Sequence, residues 1–190
     1  METALQTVSE KRPWTDSELM SLPKDGRKYE LIDGRLLMSP VGSTHSRICI
    51  DLSFLLTAHA RRRKLGQIFD SSIGFRLSPT ILLSPDVSFV SHARLVEITV
   101  APEKFLYGAP DLAVEVLSPS DSRKIMEGKL DKYFEHGTHL AWVVDPRHAT
   151  VTVHDADSVT KLSGPATTLT GGEVLPGFKC KLSEIFLPAW

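Results

Sequence analysis

Apolar positions recur along this chain with two different periods, and the longer period predicts helices. Between Ser43 and Lys64 the helical spacing predicts one long amphipathic helix, on the positions Ile48, Leu52, Leu55, Leu56 and His59. Its last turn, RRRK, places positive charge where a helix dipole favours it. The run SDSRKIMEGKLDKYFEHG predicts a second helix, which begins at Ser120 or Asp121 and has Gly137 just past its end.

The shorter period predicts strands. RKYELIDGRLLMSP reads as a hairpin with Asp33 and Gly34 as a type I′ turn, and QIFDSSIGFRLSPT as a second hairpin. SPDVSFVS predicts a strand that begins at Asp86, and further strands follow in DLAVEV, HLAWVVD and TVTVHDA. WTDSELMSLP predicts a short helix capped by Thr15 or Asp16, and the C-terminal run GGEVLPGFKCKLSEIF predicts a strand and a helical turn.

Together these elements predict a single α/β domain over residues 13–190, with N-terminal β-hairpins and a mixed sheet flanked by helices, after a flexible tail over residues 1–12. The length of 190 residues, 42% hydrophobic and 24% charged, suits one globular domain. A formal charge of −1 gives no general attraction to nucleic acid. Cys49 and Cys180 match no zinc spacing, and no segment reads as a signal peptide or a membrane span, so we expect a cytoplasmic protein without membrane contacts.

One carboxylate interrupts the most apolar of the predicted strands. In GAPDLAVEVLSPS, strand alternation puts Leu112, Val114 and Val116 on one face, and Glu115 on the other with apolar neighbours. An unpaired carboxylate removed from water costs several kcal/mol or changes its protonation state. A salt bridge to an arginine at the strand end would explain Glu115, and so would a functional site.

Two more charges fit their elements poorly. Asp86 follows Pro85 and opens a strand, where Pro-Asp alone is an ordinary turn signal. Lys129 lies within the apolar stripe of the second helix, where a lysine at the margin could extend its ammonium into water. Two acids at strand ends with a lysine from the adjacent helix would form a site for a divalent cation, to which the backbone carbonyl of Val116 could add a ligand.

The runs SPDVSFV, GAPDLAVEVLSPS and KLDKYFEHGTHLAWVVDP together resemble the PD-(D/E)xK nuclease superfamily, which has a restriction-endonuclease-like fold. More narrowly, with YELIDGRLLMSP and STHSRI upstream, the chain resembles the Uma-type restriction endonuclease family, long described as a domain of unknown function. The resemblance covers residues 14–186. It implies a nuclease that needs Mg²⁺, with Mn²⁺ as a substitute, and that acts on DNA as a homodimer.

The resemblance also assigns roles to individual residues. Asp86 matches the acid of the PD element and Glu115 the acid of the (D/E)xK element. Leu117 stands where that motif has its lysine, so the resemblance gives this role to Lys129 on the following helix. Glu30 in YELIDG matches a family acid beside the metal, although a cross-strand charge in a hairpin would also explain it.

Other residues are candidates for substrate contacts. His45 matches a histidine at the start of the family's long helix, where a helix cap or a packing role is the alternative. Gln67 is a further candidate to line the site. The basic run at Arg61, Arg62 and Arg63 could contact phosphates, or it could be a solvated helix end.

Two classes of function therefore remain open. The first is a metal-dependent endonuclease that hydrolyses phosphodiester bonds in DNA, and the second is a nucleic-acid-binding or regulatory module that keeps the nuclease fold but has little turnover. The near-neutral charge and Leu117 favour the second, whereas the three acids and Lys129 favour the first. A serine or zinc hydrolase is disfavoured, because the chain has no G-x-S-x-G motif, and His136 and His139 flank Gly137 in a turn rather than sharing a helical face.

Overall fold

The computed structural model of the chain describes residues 6–7, 11–23, 27–39, 43–100, 105–119 and 121–186. The helices are α1 (Asp16–Met20), α2 (Ser43–Arg63), α3 (His92–Glu97), α4 (Arg123–Glu135) and α5 (Leu182–Ile185). The strands are β1 (Gln6–Thr7), β2 (Lys28–Ile32), β3 (Arg35–Ser39), β4 (Gly66–Asp70), β5 (Phe75–Ser78), β6 (Ile81–Leu83), β7 (Val87–Ser91), β8 (Thr99–Val100), β9 (Leu106–Tyr107), β10 (Leu112–Val116), β11 (Leu140–Asp145), β12 (Thr150–Asp155), β13 (Val159–Ser163), β14 (Thr168–Gly171) and β15 (Leu175–Lys181).

The central sheet has the strand order β13-β12-β11-β10-β7-β4. It is a mixed sheet, because β10 and β11 run parallel while the other neighbouring pairs are antiparallel. The long helix α2 packs on one face of this sheet through Ile48, Leu52 and Leu56, which are almost fully buried in the largest hydrophobic cluster. The amphipathic helix that the spacing predicts is therefore present, and it buries its apolar stripe against the sheet.

The opposite face of the central sheet meets a second sheet, which has the order β1-β3-β2-β6-β5-β9-β8 and is here called the N-terminal sheet. Its β2–β3 hairpin turns at Asp33 (φ +49°) and Gly34 (φ +80°), the two positive φ values of a type I′ turn. Between the sheets, Ala113 of β10 packs in one cluster with Ile81 and Tyr133. This junction brings β2 close to β10 and α4.

The second predicted hairpin, QIFDSSIGFRLSPT, is wrong. Strand β4 pairs with β7 in the central sheet, whereas β5 pairs with β6 and β9 in the N-terminal sheet. Strand β4 is the edge strand of the central sheet, with Ile68 packed on the α2 side and Phe69 packed with Phe75 on the other side. Its local sequence does not specify which strand becomes its partner.

Helix α4 begins later than predicted, at Arg123 with Ser122 as its N-cap. The carboxylate of Asp121 instead accepts a hydrogen bond from the Ser118 amide at 2.6 Å, which holds the chain in a turn before the helix. Ser120, the other predicted start, lies outside the described residues. Strands β13 and β14 were not predicted, because they are short and have few buried apolar positions.

The expected N-terminal tail over residues 1–12 lies mostly outside the described residues, and within it Gln6–Thr7 pairs with β3. Thr15 caps α1 as predicted, in a capping box with Glu18. Cys49 and Cys180 are both free thiols. Across the described residues, α2 is the longest helix, and none of the helices is long and apolar enough to cross a bilayer.

Candidate active site

Strand pairing places Asp86 and Glu115 side by side. In the antiparallel pair β7–β10, Val87 lies opposite Val114, so Asp86 and Glu115 are the next two residues in register. The Asp86 amide donates to the Val114 carbonyl at 2.9 Å, which continues the pairing to this position. Directly opposed residues project from the same face of a sheet. The Glu115 side chain therefore projects from the face of β10 that meets the N-terminal sheet, whereas Asp86, the residue before β7, also reaches His45 at the start of α2.

Two lysines bind the acids from neighbouring elements. The Nζ atom of Lys129, on α4, lies 2.8 Å from Oε2 of Glu115 and 3.0 Å from Oε2 of Glu30. The Nζ atom of Lys28, on β2, lies 2.9 Å from Oδ1 of Asp86 and 3.8 Å from Oε2 of Glu115. It also lies 3.9 Å from Oε1 of Glu30. These five side chains, each exposed by a tenth or less, are here called the charge cluster.

Each carboxylate of the charge cluster also accepts a hydrogen bond from a neutral donor. The Tyr133 hydroxyl donates to Oε1 of Glu115 at 2.7 Å. The backbone amide of Ser84 donates to Oε1 of Glu30 at 2.9 Å, and the backbone amide of Val116 donates to Oδ2 of Asp86 at 2.8 Å. Buried charge requires such complete pairing, because each unpaired group would carry its full desolvation penalty.

His45 joins the cluster from the first turns of α2. Its Nε2 atom lies 3.0 Å from Oδ2 of Asp86, and its Nδ1 atom lies 3.5 Å from Sγ of Cys49 on the next helical turn. Burial, with the nearby Asp86 carboxylate, raises the pKa of the Cys49 thiol to about 12. His45, Cys49 and Asp86 thus form a chain of contacts in which the imidazole ring separates the thiol from the carboxylate.

A pocket of about 40 Å³ opens beside these groups. The charge cluster lines it together with His45 and Val116, and the start of α4 contributes the exposed residue Ser122 at its rim. This volume holds an ion with a few water molecules but not a nucleotide. A polymeric substrate would have to lie across the mouth of the pocket and present one group to it.

The comparisons with known proteins agree with this geometry. Residues 16–183 match the family model Uma2, whose description is "Putative restriction endonuclease". The chain belongs to the Uma2 family. A solved structure, described as a putative nuclease belonging to DUF820 from Anabaena variabilis ATCC 29413, matches with a TM-score of 0.76 at 21% sequence identity, over 92% of this chain and 98% of that chain. The predicted restriction-endonuclease-like fold is therefore confirmed, and no curated protein matches the chain.

One of the two buried ammonium groups comes from a helix. Leu117, two residues after Glu115, packs beside Leu130 and Val143. Lys129 approaches Glu115 from α4 instead, and Tyr133, one turn further along the same helix, binds the second oxygen of that carboxylate. The i, i+4 spacing of Lys129 and Tyr133 puts both on the helix face that meets β10.

The pKa values of Asp86 and Glu115 are shifted in opposite directions. Burial alone would raise the pKa of Asp86, but the Lys28 ammonium and the His45 contact outweigh it and hold that pKa well below its usual range. Burial raises the pKa of Glu115, and the negative charges of Glu30 and Asp86 add to this effect against the attraction of the lysines. Any proton shared in the cluster therefore resides on Glu115 rather than on Asp86.

The pKa values of both lysines are raised, because the attraction of the carboxylates exceeds the effect of burial. The pKa of Glu30 is lowered, since Lys129 and Lys28 outweigh burial there. The pKa of the Tyr133 hydroxyl lies well above its usual range, from burial and from the adjacent Glu115. At neutral pH the charge cluster thus contains two ammonium groups, and the neighbouring Tyr133 is a neutral phenol.

The predicted substrate contacts fall in different places. His45 lines the pocket, whereas the exposed side chain of Gln67 lies on β4, opposite Val90 in the strand pairing and outside the pocket lining. The exposed run from Arg61 to Arg63 ends α2, about 24 Å along the helix from His45 at 1.5 Å per residue. Of these candidates, only His45 lines the pocket beside the charge cluster.

Sequence reasoning missed two members of the site. Lys28 is two residues before Glu30, so strand alternation alone would have put both side chains on one face. Tyr133 lies one helical turn after Lys129 but reads as an ordinary member of the apolar stripe. The charge of Lys28 carried no signal, because a lysine at the start of an exposed hairpin is common.

The residues present fit a divalent cation. Three carboxylates outnumber two ammonium groups in a buried cluster, and an excess of buried negative charge is costly. Asp86 and Glu115 offer hard oxygen donors beside the pocket, which suit Mg²⁺ or Mn²⁺. His45, Cys49 and Asp86 also have ligand atoms within 4.8 Å of one another, but the imidazole lies between the other two and the thiol stays protonated. The carboxylate pair is therefore the better site.

Proposed function

We propose that this chain is a metal-dependent endonuclease that hydrolyses phosphodiester bonds in DNA. Asp86 and Glu115 would hold a Mg²⁺ ion, with Mn²⁺ as a substitute, and the carbonyl of Val116 would add a ligand. The observation that carries this proposal is the convergence of three buried carboxylates with Lys129 beside one small pocket. Membership of the Uma2 family supports it independently.

When bound, the metal would polarise the phosphoryl oxygen and favour ionisation of the attacking water. Lys129 would orient that water and offset the negative charge that develops on the phosphate, because its ammonium is held by two carboxylates and keeps its proton at neutral pH. Glu30 would hold the lysine in place from β2. Tyr133 would fix the orientation of Glu115 through its hydroxyl.

The decisive experiment is a nicking assay on supercoiled plasmid with Mg²⁺, Mn²⁺ or EDTA. We expect cleavage by the wild type with either metal, none in EDTA, and none by Asp86→Asn, which keeps the shape of the side chain but removes its charge. Calorimetry should show that the same substitution weakens Mg²⁺ binding. Asp131→Asn, which changes an exposed carboxylate on α4, serves as the matched control. Equal cleavage by wild type and Asp86→Asn would reject the proposed site.

A second candidate function is a DNA-binding module with little turnover. Its specific support is that Lys28 and Lys129 already pair with every acid of the cluster without a metal. DNA binding in a gel-shift assay, without cleavage under any metal, would favour this function.

We further infer that the active form is a homodimer, because two strands of a duplex require two active sites. Light scattering of the protein alone and with DNA tests this assembly. The two free thiols suit a reducing compartment such as the cytoplasm.

A further inference from the structure

Lys28 occupies the centre of the acidic residues rather than their edge. Its Nζ atom contacts three carboxylates, at 2.9 Å from Asp86, 3.8 Å from Glu115 and 3.9 Å from Glu30. A cation held jointly by Asp86 and Glu115 would have to lie in this same region. The ammonium therefore stands where the proposed metal ion would bind.

The two lysines of the cluster differ in this respect. Lys129 makes its ion pairs with Glu115 and Glu30, at 2.8 Å and 3.0 Å. Lys28 supplies the close ion pair to Asp86, the acid whose charge the proposed metal site most requires. A metal ion could therefore bind beside Lys129, but it would compete directly with Lys28 for Asp86.

The charge count leads to the same conclusion. The three carboxylates carry three negative charges, which one divalent ion and the Lys129 ammonium would balance. The Lys28 ammonium would then be a surplus positive charge close to the metal. Like charges about 4 Å apart in a partly buried site repel strongly. Lys28 would therefore have to leave as the metal enters.

Space for this movement lies next to Lys28. The residue also lines a second pocket of about 250 Å³, together with Leu22 and Ser84. Its side chain is 10% exposed, compared with 6% for Lys129, and it begins its strand. Four rotatable bonds let the ammonium move several ångströms without a change in the backbone.

We propose that Lys28 is a built-in cation that fills the metal position in the metal-free protein and is displaced when a divalent ion binds. The inference rests on the proposed function, since it concerns the same metal site. Lys28 acts as a positioning residue, because it keeps the three acids together without a metal. Only molecules in which Lys28 has moved away can bind the metal, so the apparent metal affinity is the intrinsic affinity multiplied by their fraction. Binding of Mg²⁺ would therefore replace the Lys28 ammonium with the metal ion, rather than fill an empty site.

Chemical labelling of amines in the wild-type protein tests the displacement directly. We expect an amine-reactive reagent to modify Lys28 slowly without metal and at least about fivefold faster at saturating Mg²⁺, with the modified peptides quantified by mass spectrometry. Lys129 should stay protected in both states, and the exposed Lys124 should react equally in both. Unchanged protection of Lys28, while calorimetry shows Mg²⁺ bound, would overturn the proposal.

The Lys28→Met substitution provides a second test, because methionine keeps the apolar stem without the ammonium. Its metal affinity by calorimetry should exceed that of the wild type by about tenfold or more, since no bound cation has to leave. Lys129→Met is the matched control: it removes the same charge from the same cluster, so a purely Coulombic gain would appear equally in both variants. Equal gains would contradict the displacement.

The remaining outcomes also separate the two proposals. Binding of Mg²⁺ by Lys28→Met but not by the wild type would support Lys28 as the blocking cation, whereas binding by neither would overturn it. Metal-dependent DNA cleavage with unchanged Lys28 labelling would reject this inference and leave the nuclease function standing. Displacement of Lys28 by metal without any DNA cleavage would support this inference and reject the nuclease function.

Discussion

At the scale of single residues, Glu115 shows how an apolar strand can keep a carboxylate. Its two oxygens are bound by the Lys129 ammonium and the Tyr133 hydroxyl, and Lys28 lies within 4 Å. The free energy lost on burying the charge is offset only because all these partners are present together. Removal of any one partner should therefore affect the fold and the chemistry at once.

Lys129→Met separates a chemical role from a packing role, because methionine preserves the stem that lies in the helix stripe. We expect the cleavage rate to fall by about 10²–10⁴-fold, since the variant lacks the group that orients the water and offsets the developing charge. Plasmid nicking at saturating Mg²⁺, with circular dichroism to verify folding, measures the effect. Lys132→Met, one turn away on the same helix and partly exposed, should cleave like the wild type. A folded Lys129→Met with an unchanged rate would remove this lysine from the mechanism.

At the scale of elements, the β2–β3 hairpin positions two of the five charged residues. Its turn is held on both sides, because the Gly34 amide donates to the Thr80 carbonyl at 2.9 Å and its own carbonyl accepts from the Arg12 amide at 3.0 Å. Lys28 and Glu30 project from the same face of β2 into the charge cluster. The positions of Lys28 and Glu30 in the charge cluster thus depend on a turn that lies outside the cluster.

Gly34→Ala should destabilise the protein by about 2–4 kcal/mol, because alanine at φ +80° is strained and its Cβ would lie 2.7 Å from the Arg12 carbonyl oxygen. Displacement of Glu30 should also weaken Mg²⁺ binding. Gly164→Ala is the control, since φ is +89° there but the nearest atom, in Thr167, is 3.6 Å away; it should lose only about 1 kcal/mol. Urea unfolding and calorimetry measure both effects, and equal losses of stability would show that the contact with Arg12 yields easily.

At the scale of the whole molecule, the charge cluster lies where the central sheet, the N-terminal sheet and α4 meet. Its acids come from β2, β10 and the residue before β7, and its lysines come from β2 and α4. Formation of the cluster therefore requires the complete tertiary structure. Its electrostatic energy should appear in the pH dependence of global unfolding.

For the metal-free protein we expect stability to fall below about pH 4 and above about pH 10.5. Asp86 and Glu30 have lowered pKa values in the folded protein. They therefore stabilise the fold at pH values above their pKa in the unfolded chain, and this stabilisation is lost as the pH falls through their pKa in the folded protein. Lys28 and Lys129 have raised pKa values, so their contribution to stability is lost as the pH rises through their pKa in the folded protein. The raised pKa of Glu115 opposes the loss on the acid side.

Urea unfolding in EDTA from pH 3 to pH 7 tests the acid side of this dependence. Asp86→Asn should flatten the decline below pH 4, because it removes the carboxyl group with the strongly lowered pKa. The exposed-site variant Asp131→Asn should follow the wild type. If Asp86→Asn kept the full decline, the acid dependence would have to originate elsewhere in the molecule.

The sequence by itself predicted the two long helices, the first hairpin and several of the charged residues that the structure brings together. The apolar spacing specified α2, the Asp33-Gly34 pair specified the first hairpin, and misplaced charge identified Glu115 and Lys129. These signals are local: a turn needs positive φ, a helix needs a continuous apolar stripe, and a charge in that stripe needs a partner. Asp86 was a candidate from its place at a strand end, and Glu30 gained its role from the family resemblance alone.

Only the tertiary structure decided which elements meet. It assigned β4 to the central sheet and β5 to the N-terminal sheet, and it brought Lys28 and Glu30 of β2 to Asp86 and Glu115. Strand pairing and ion pairing across more than fifty residues depend on global packing, because many partners satisfy the same local pattern equally well. The position of Lys28 among the three carboxylates could therefore not be predicted until β2 was placed against β10 and α4.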